Sequence, residues 1–162
     1  MIVTCDTSPL LVLAKTGRLE LLGTLYDEVW IPSAVLEEVQ DPDRSDTKAI
    51  RRWCRNESSV SIHAVAEAVR KSIPEELGSG ERAAIALAVA RDADLVILDD
   101  QEGRRAARAE GLAVTGTIGV LVEARAEGHI DSLRVELDRV VDAGLWISEA
   151  FYERLLREFG ES

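Results

Sequence analysis

Residues Leu95-Val96-Ile97-Leu98 form an unbroken apolar run that stops at Asp99-Asp100. A strand with no polar alternation is covered on both faces, the pattern of a parallel sheet held between layers of helices. Parallel neighbours need long crossover connections, so such a strand constrains the rest of the chain to alternate strands with helices. The sequence has that rhythm. Ile2-Val3-Thr4-Cys5 predicts a short buried strand ending at Asp6, followed by Ser8 as an N-cap, Pro9 as the first helical residue and a helix to Thr16, stopped by Gly17. Arg18 to Leu25 predicts a second short helix, Glu28 to Ile31 a strand, and Ser33 to Gln40 a helix opened by Pro32. The polar stretch 41–46 is a loop. A helix from Thr47 to Arg55, a strand from Val60 to His63 and a helix from Val65 to Lys71 follow. Gly78-Ser79-Gly80 breaks the chain before an alanine-rich helix, Glu81 to Arg91. Beyond Asp99-Asp100 come a helix to Glu110, a strand from Ala113 to Thr115, and helices at 116–126, 132–143 and 149–159. The expectation is an α/β fold with a mainly parallel sheet and right-handed crossovers.

No repeat or linker divides the chain, so its 162 residues read as a single domain, 1–162, with the helices of 132–159 as a C-terminal extension. No apolar run reaches the roughly 18 residues of a membrane span. The N-terminus lacks the basic and apolar regions of a signal peptide, so the expected location is cytoplasmic with no membrane partner. Cys5 and Cys54 make no disulfide scaffold, and Cys5 is expected as a reduced, packed thiol. With 19 basic and 30 acidic residues the net charge is −11, which lacks the usual basic footprint of a nucleic-acid binder. Carboxylates that converge on divalent cations reverse that logic locally.

The acidic residues stand at telling places. Ligands of open parallel sheets bind at the carboxyl ends of the strands. Asp6 and Asp99-Asp100 fall at such ends. Each has a plain alternative role as a helix cap, although Ser8 already supplies one after Asp6, and of two adjacent aspartates one is to spare. Glu38 sits at the margin of the apolar side marked by Val35, Leu36 and Val39. Glu81 opens the alanine-rich helix, where a carboxylate also suits the helix dipole.

Together these segments resemble a known family. Asp6-Thr7-Ser8-Pro9-Leu10, Ile31-Pro32 with Val35-Leu36-Glu37-Glu38-Val39, Gly78-Ser79-Gly80-Glu81 with Ala84-Ile85-Ala86-Leu87-Ala88, Leu98-Asp99-Asp100 with Arg104-Arg105-Ala106 and Gly111, and Gly116-Thr117-Ile118-Gly119-Val120-Leu121 look like a PIN-domain subfamily related to the VapC toxins of toxin–antitoxin pairs. The resemblance spans residues 1 to 155. It implies a three-layer α/β/α fold around a parallel sheet and Mg²⁺- or Mn²⁺-dependent hydrolysis of RNA. It also implies a cognate antitoxin as partner. It carries the family's acidic positions onto Asp6, Glu38, Glu81 and Asp100, with Asp99 adjacent. Two positions depart from the pattern: Glu81 stands where many members have aspartate, and Leu98 where a Thr or Ser is usual.

The chemistry suits the residue types. Phosphodiester hydrolysis needs a nucleophilic water and neutralisation of charge growing on the phosphate, and hard cations held by carboxylate oxygens serve both. On this reading Asp6 and Asp100 hold the principal ion, with Asp99 and Glu81 as further ligands, Glu38 and Glu81 complete the site, and Thr7 and Ser8 donate hydrogen bonds behind it. His63 and His129 lie far from the acidic motifs in sequence. Arg104, Arg105, Arg108, Lys15 and Arg18 are candidates for the RNA backbone, against the plainer expectation of a solvated face paired with Glu102 and Glu110. Trp30, Trp53 and Trp146 could stack on bases, but core packing is the expectation for each. The segment Leu145 to Phe159 is expected as a packing or homodimer face. Three other readings stand beside this one. A PIN fold could serve as an inactive RNA- or protein-binding module. A haloacid-dehalogenase-type phosphatase would need an acid where Ser8 stands, and a receiver domain would need an acidic pair after the first strand and a late lysine.

Overall fold

The computed structural model describes residues 1–162. Its strands are β1 (Ile2–Cys5), β2 (Glu28–Pro32), β3 (Val60–His63), β4 (Leu95–Ile97) and β5 (Ala113–Thr115). All pair in parallel, in the order β3-β2-β1-β4-β5. The chain therefore builds outward from β1 through β2 to β3, then returns to the other side of β1 with β4 and β5. The reversal lies between β1 and β4, where diverging crossovers leave a crevice at the strands' carboxyl ends.

Ten helices cover the sheet: α1 (Thr7–Lys15), α2 (Glu20–Leu25), α3 (Ser33–Glu38), α4 (Ser45–Asn56), α5 (Glu67–Arg70), α6 (Ser79–Arg91), α7 (Gln101–Ala109), α8 (Thr117–Ala126), α9 (Leu133–Asp142) and α10 (Glu149–Glu158). Successive side chains of a strand point to opposite faces, and here they sort into two cores. Val3, Cys5, Leu95 and Ile97 join the larger core with Leu10, Leu13, Ile50 and Leu121. Val96 and Leu98 join the smaller one with Ala84, Ile85 and Ala88 of α6. A sheet with a separate core on each face is the expected three-layer α/β/α arrangement. The alanines of α6 let it lie close against the strands, and the buried Thr4 hydroxyl donates to the Ala84 carbonyl at 2.9 Å.

Leu133, Leu137, Val140, Leu155 and Leu156 place α9 and α10 in the larger core. Buried Glu136 of α9 accepts from Arg18 Nε at 3.1 Å, joining α9 to the α1–α2 connection. Cys5 is fully buried and unpaired, as expected, and burial is the main reason its thiol pKa is pushed well up. No helix is long and apolar enough to cross a membrane.

Two expectations need correction. Asp6, rather than Ser8, takes the N-cap position of α1, which puts Ser8 inside the first turn. Trp146 is not a core residue: it is 82% exposed, whereas Trp53 is buried and Trp30 half-buried, edge-on to His63 at 5.4 Å. The cause is local. Gly144, at φ +110°, ends α9 in a left-handed turn in which its own amide donates to the Val141 carbonyl at 3.0 Å and that of Leu145 to Val140 at 2.9 Å. In this paired cap the residue after the glycine packs back on the helix. Leu145 does so against the larger core, and Trp146 is turned outward.

Candidate active site

Asp6 and Asp99-Asp100 follow β1 and β4, the two strands that flank the topological reversal, and α1, α3, α6, α7 and α8 bring their ends to the same crevice. The Asp6 amide donates to Ile97 O of the neighbouring strand at 3.2 Å, so the carboxyl end of β1 is anchored to β4. Although it stands at an N-cap position, the Asp6 side chain makes no capping hydrogen bond. It is 5% exposed. Burial raises its carboxyl from 3.8 to about 7; the Thr7 amide opposes this, and Glu81, Glu38 and Asp99 add to it by repulsion.

Glu38, at the end of α3, bridges two other helices. Its Oε1 accepts from the Gly80 amide at 2.7 Å and its Oε2 from Thr7 Oγ at 2.8 Å. Gly80 is needed for this approach, since a Cβ there would lie 2.7 Å from both Asp6 Oδ1 and Thr7 Oγ. Gly103 has the same role opposite Glu81, whose Oε2 would be 2.5 Å from a Cβ at that position. Neither glycine stands out in the sequence as a site residue; Gly80 reads there only as part of a helix-breaking turn.

Glu81 projects from the first turn of α6, and its Oε2 is buried with no hydrogen-bond partner. Its pKa is raised first by burial, then by the charge of Asp100. The Gly78 amide opposes the rise, and the charge of Glu38 adds to it. An orphaned carboxylate oxygen beside another carboxylate needs a proton or a cation.

One member of the Asp99-Asp100 pair caps the following helix, as the sequence suggested, but the other is not left free. Asp100 Oδ2 caps α7, accepting from the Glu102 and Gly103 amides at 3.1 and 3.2 Å, and its Oδ1 makes no hydrogen bond. Asp99 is held by Thr117, whose amide and hydroxyl donate to its two oxygens at 2.7 and 2.6 Å. Leu98, which has no hydroxyl to offer the site, is packed in the smaller core instead. Thr117 is fully buried and is a residue that the motif reading passed over as a site member.

The structure brings Asp6, Glu38, Glu81, Asp99 and Asp100 into mutual electrostatic range, with Thr7 hydrogen-bonded among them. No three acidic, histidine or cysteine side chains are drawn tightly enough to chelate one ion as they stand. The donor set still suits a hard divalent cation: all oxygen, buried in part, mutually repelling, with one oxygen wholly unpartnered. Ser8 is exposed and lines a trough beside the pair rather than joining the cluster.

Of the basic candidates, Arg104, Arg105 and Arg108 of α7 enter no ion pair, and the expected pairing with Glu102 and Glu110 is absent. Lys15 lines the trough that holds Ser8, Asp99 and Asp100. Arg18 differs: its guanidinium is committed to Glu136 and Glu20. His63 lies on the edge strand, bonded to Ser61 and Arg91, away from the acids.

No curated protein matches the chain. Among solved structures it is similar to a PilT N-terminus domain protein from the hyperthermophilic archaeon Sulfolobus solfataricus, at 15% identity and a TM-score of 0.46, covering 82% of this chain and 100% of that one. The family model DUF3368, described as a PIN domain, matches residues 2–161. The chain therefore belongs to the PIN-domain family, whose fold is typically that of a nuclease.

Proposed function

We propose that the protein is a Mg²⁺- or Mn²⁺-dependent ribonuclease with its active site at the Asp6–Asp100 crevice. The observation that carries this is the convergence of buried Asp6, the unpartnered Glu81 oxygen and the Asp99-Asp100 pair at the reversal between β1 and β4. Like charges buried together destabilise a fold unless a cation or proton separates them, so their retention speaks for a chemical task. Asp6, Asp100, Asp99 and Glu81 would hold the metal, which when bound supplies an activated water and a counter-charge for the phosphate. The protein's own residues do the positioning. Glu38, fixed by Thr7 and Gly80, orients water at the rim of the site. Thr117 holds Asp99 in one rotamer, and the α7 amides hold Asp100. Arg104, Arg105, Arg108 and Lys15 meet the RNA backbone. By the family resemblance, the chain acts in the cytoplasm as the toxin of a VapBC-like pair, with an antitoxin protein as its partner.

One observation favours a second reading, an inactive PIN module that binds RNA or protein. Asp99 has both oxygens engaged by Thr117 and Asp100 caps a helix, so both have structural work. Incubation with single-stranded and structured RNA, in Mn²⁺ and then in EDTA, separates the two. Cleavage that appears with Mn²⁺ and stops on chelation supports the nuclease. Cleavage that survives thorough chelation overturns it, since these motifs supply no general acid–base pair for metal-free hydrolysis. No cleavage, with no thermal stabilisation by Mn²⁺, returns the protein to the inactive reading.

A further inference from the structure

Between α7, α8 and the α9–α10 connection runs a groove of about 600 Å³. Its floor is apolar, with Ile118, Val122, Ile147 and Phe151; one end opens on Asp99 and Asp100, and Trp146 stands at the wall. A large aromatic held 82% in solvent loses the stabilisation that burial would give it. It is also displayed on a rigid ledge. The glycine cap of α9 fixes the chain before it, and Ser148 fixes the chain after it by accepting from the Phe151 amide at 3.2 Å to start α10. The backbone that carries the indole is thus held on both sides, which lowers part of the ordering cost of stacking a flat partner on it.

Arg104 lines the same groove, half-buried and without an ion pair, in a chain with 30 acidic residues. Its charge suits an anion entering alongside an aromatic face. On the other side of Leu145 a second trough, about 380 Å³, holds Ser8 and Lys15 and also opens on Asp99 and Asp100. The acidic pair thus lies where the trough that holds Lys15 and the groove beside Trp146 meet.

We propose that the Trp146 groove is a nucleobase subsite: one unpaired base of single-stranded RNA stacks on Trp146 over the apolar floor, with Arg104 on the phosphate that joins it to the acidic site. This rests on the ribonuclease reading above and narrows it to single-stranded substrate, because a base within a duplex has both faces covered and cannot enter. A second copy of the chain suits the groove less well, since a self-interface would bury the Arg104 guanidinium, which has no ion-pair partner.

The test uses an eight-nucleotide single-stranded RNA of mixed sequence, and the same oligonucleotide made abasic at each position in turn. Binding is followed in EDTA by quenching of tryptophan fluorescence, to which Trp146 is the most accessible of the three. RNA should quench the emission to saturation. Trp146→Ala should abolish the quench and weaken binding about tenfold, while Trp146→Phe keeps most of the affinity. At one abasic position wild type and Trp146→Ala should bind alike. Unquenched emission, or equal affinity for the intact RNA, overturns the subsite. So does a wild-type dimer that Trp146→Ala converts to monomer with RNA binding unchanged, which would make the groove a self-interface. Cleavage in Mn²⁺ is measured in parallel to keep the two readings apart. Cleavage with a KM indifferent to Trp146→Ala sinks the subsite alone, and base-dependent binding without cleavage sinks the nuclease alone.

Discussion

At the scale of single residues, Asp6 is the most informative. Its carboxyl is raised from 3.8 to about 7 by burial, with the other acids adding to the effect. In the unfolded chain it ionises near its ordinary value, so between about pH 4 and 7 the folded state binds the extra proton. Stability from this group is therefore greatest below pH 4, falls as pH rises through the interval, and stays low above it. The cost of the charged form is on the order of 2–4 kcal/mol. Asp6→Asn, which cannot ionise, should flatten the metal-free stability profile between pH 4 and 7 and leave the protein at least as stable as wild type at pH 8. It should also abolish RNA cleavage and reduce the stabilisation gained from Mn²⁺. Paired thermal melts across pH, with and without Mn²⁺, check this. An Asp6→Asn protein that is destabilised at pH 8 yet still cleaves RNA would make Asp6 a structural hydrogen-bond acceptor instead.

At the scale of elements, α7 shows how one side chain serves fold and site together. Asp100 Oδ2 takes two orphan amides of the first turn, Oδ1 makes no hydrogen bond, and the charge of Asp100 acts on Glu81. Asp100→Ala should lose the cap, costing about 1 kcal/mol, whereas Asp100→Asn keeps it. Both should lose cleavage. Urea unfolding of the two variants beside a cleavage assay separates the roles, and an active Asp100→Asn would confine this residue to capping. Elements are also the scale at which the sequence was most legible. Short apolar runs located all five strands, and glycine and proline punctuation located several of the helices to within a few residues. Strand ends marked Asp6 and Asp99-Asp100 as candidate site residues for the same local reason. Contacts set by strand order were not legible. Thr117 reaches Asp99 from 18 residues away, and Gly80 meets Glu38 across 42. Neither partnership leaves a local pattern. The misreading of Trp146 had a visible remedy: Gly144 follows the last turn of α9 where a left-handed cap belongs, and a chain so turned need not continue the apolar periodicity of Ile147 and Phe151.

At the scale of the whole molecule, the charge of −11 and the proposed RNA substrate pull against each other. The global field repels a polyanion, so binding must come from a few local contacts together with stacking, whose strength salt hardly changes. Of the cations proposed for the backbone four remain, Arg104, Arg105, Arg108 and Lys15, because Arg18 is held by Glu136. Single-stranded RNA releases about 0.7 counterion per phosphate contacted, so the plot of log affinity against log salt should have a slope no steeper than about −3. Replacing Arg104 and Arg108 with alanine should make it shallower by about 1.4. Thermal stability should barely change, since neither residue is in an ion pair whose loss would be felt. Titrations in EDTA at several salt concentrations, wild type beside the double variant, give both slopes. An unchanged slope would assign Arg104 and Arg108 to solvent and leave stacking, Arg105 and Lys15 to hold the RNA, whereas a wild-type slope well beyond −3 would mean that cations outside this crevice also contact the strand.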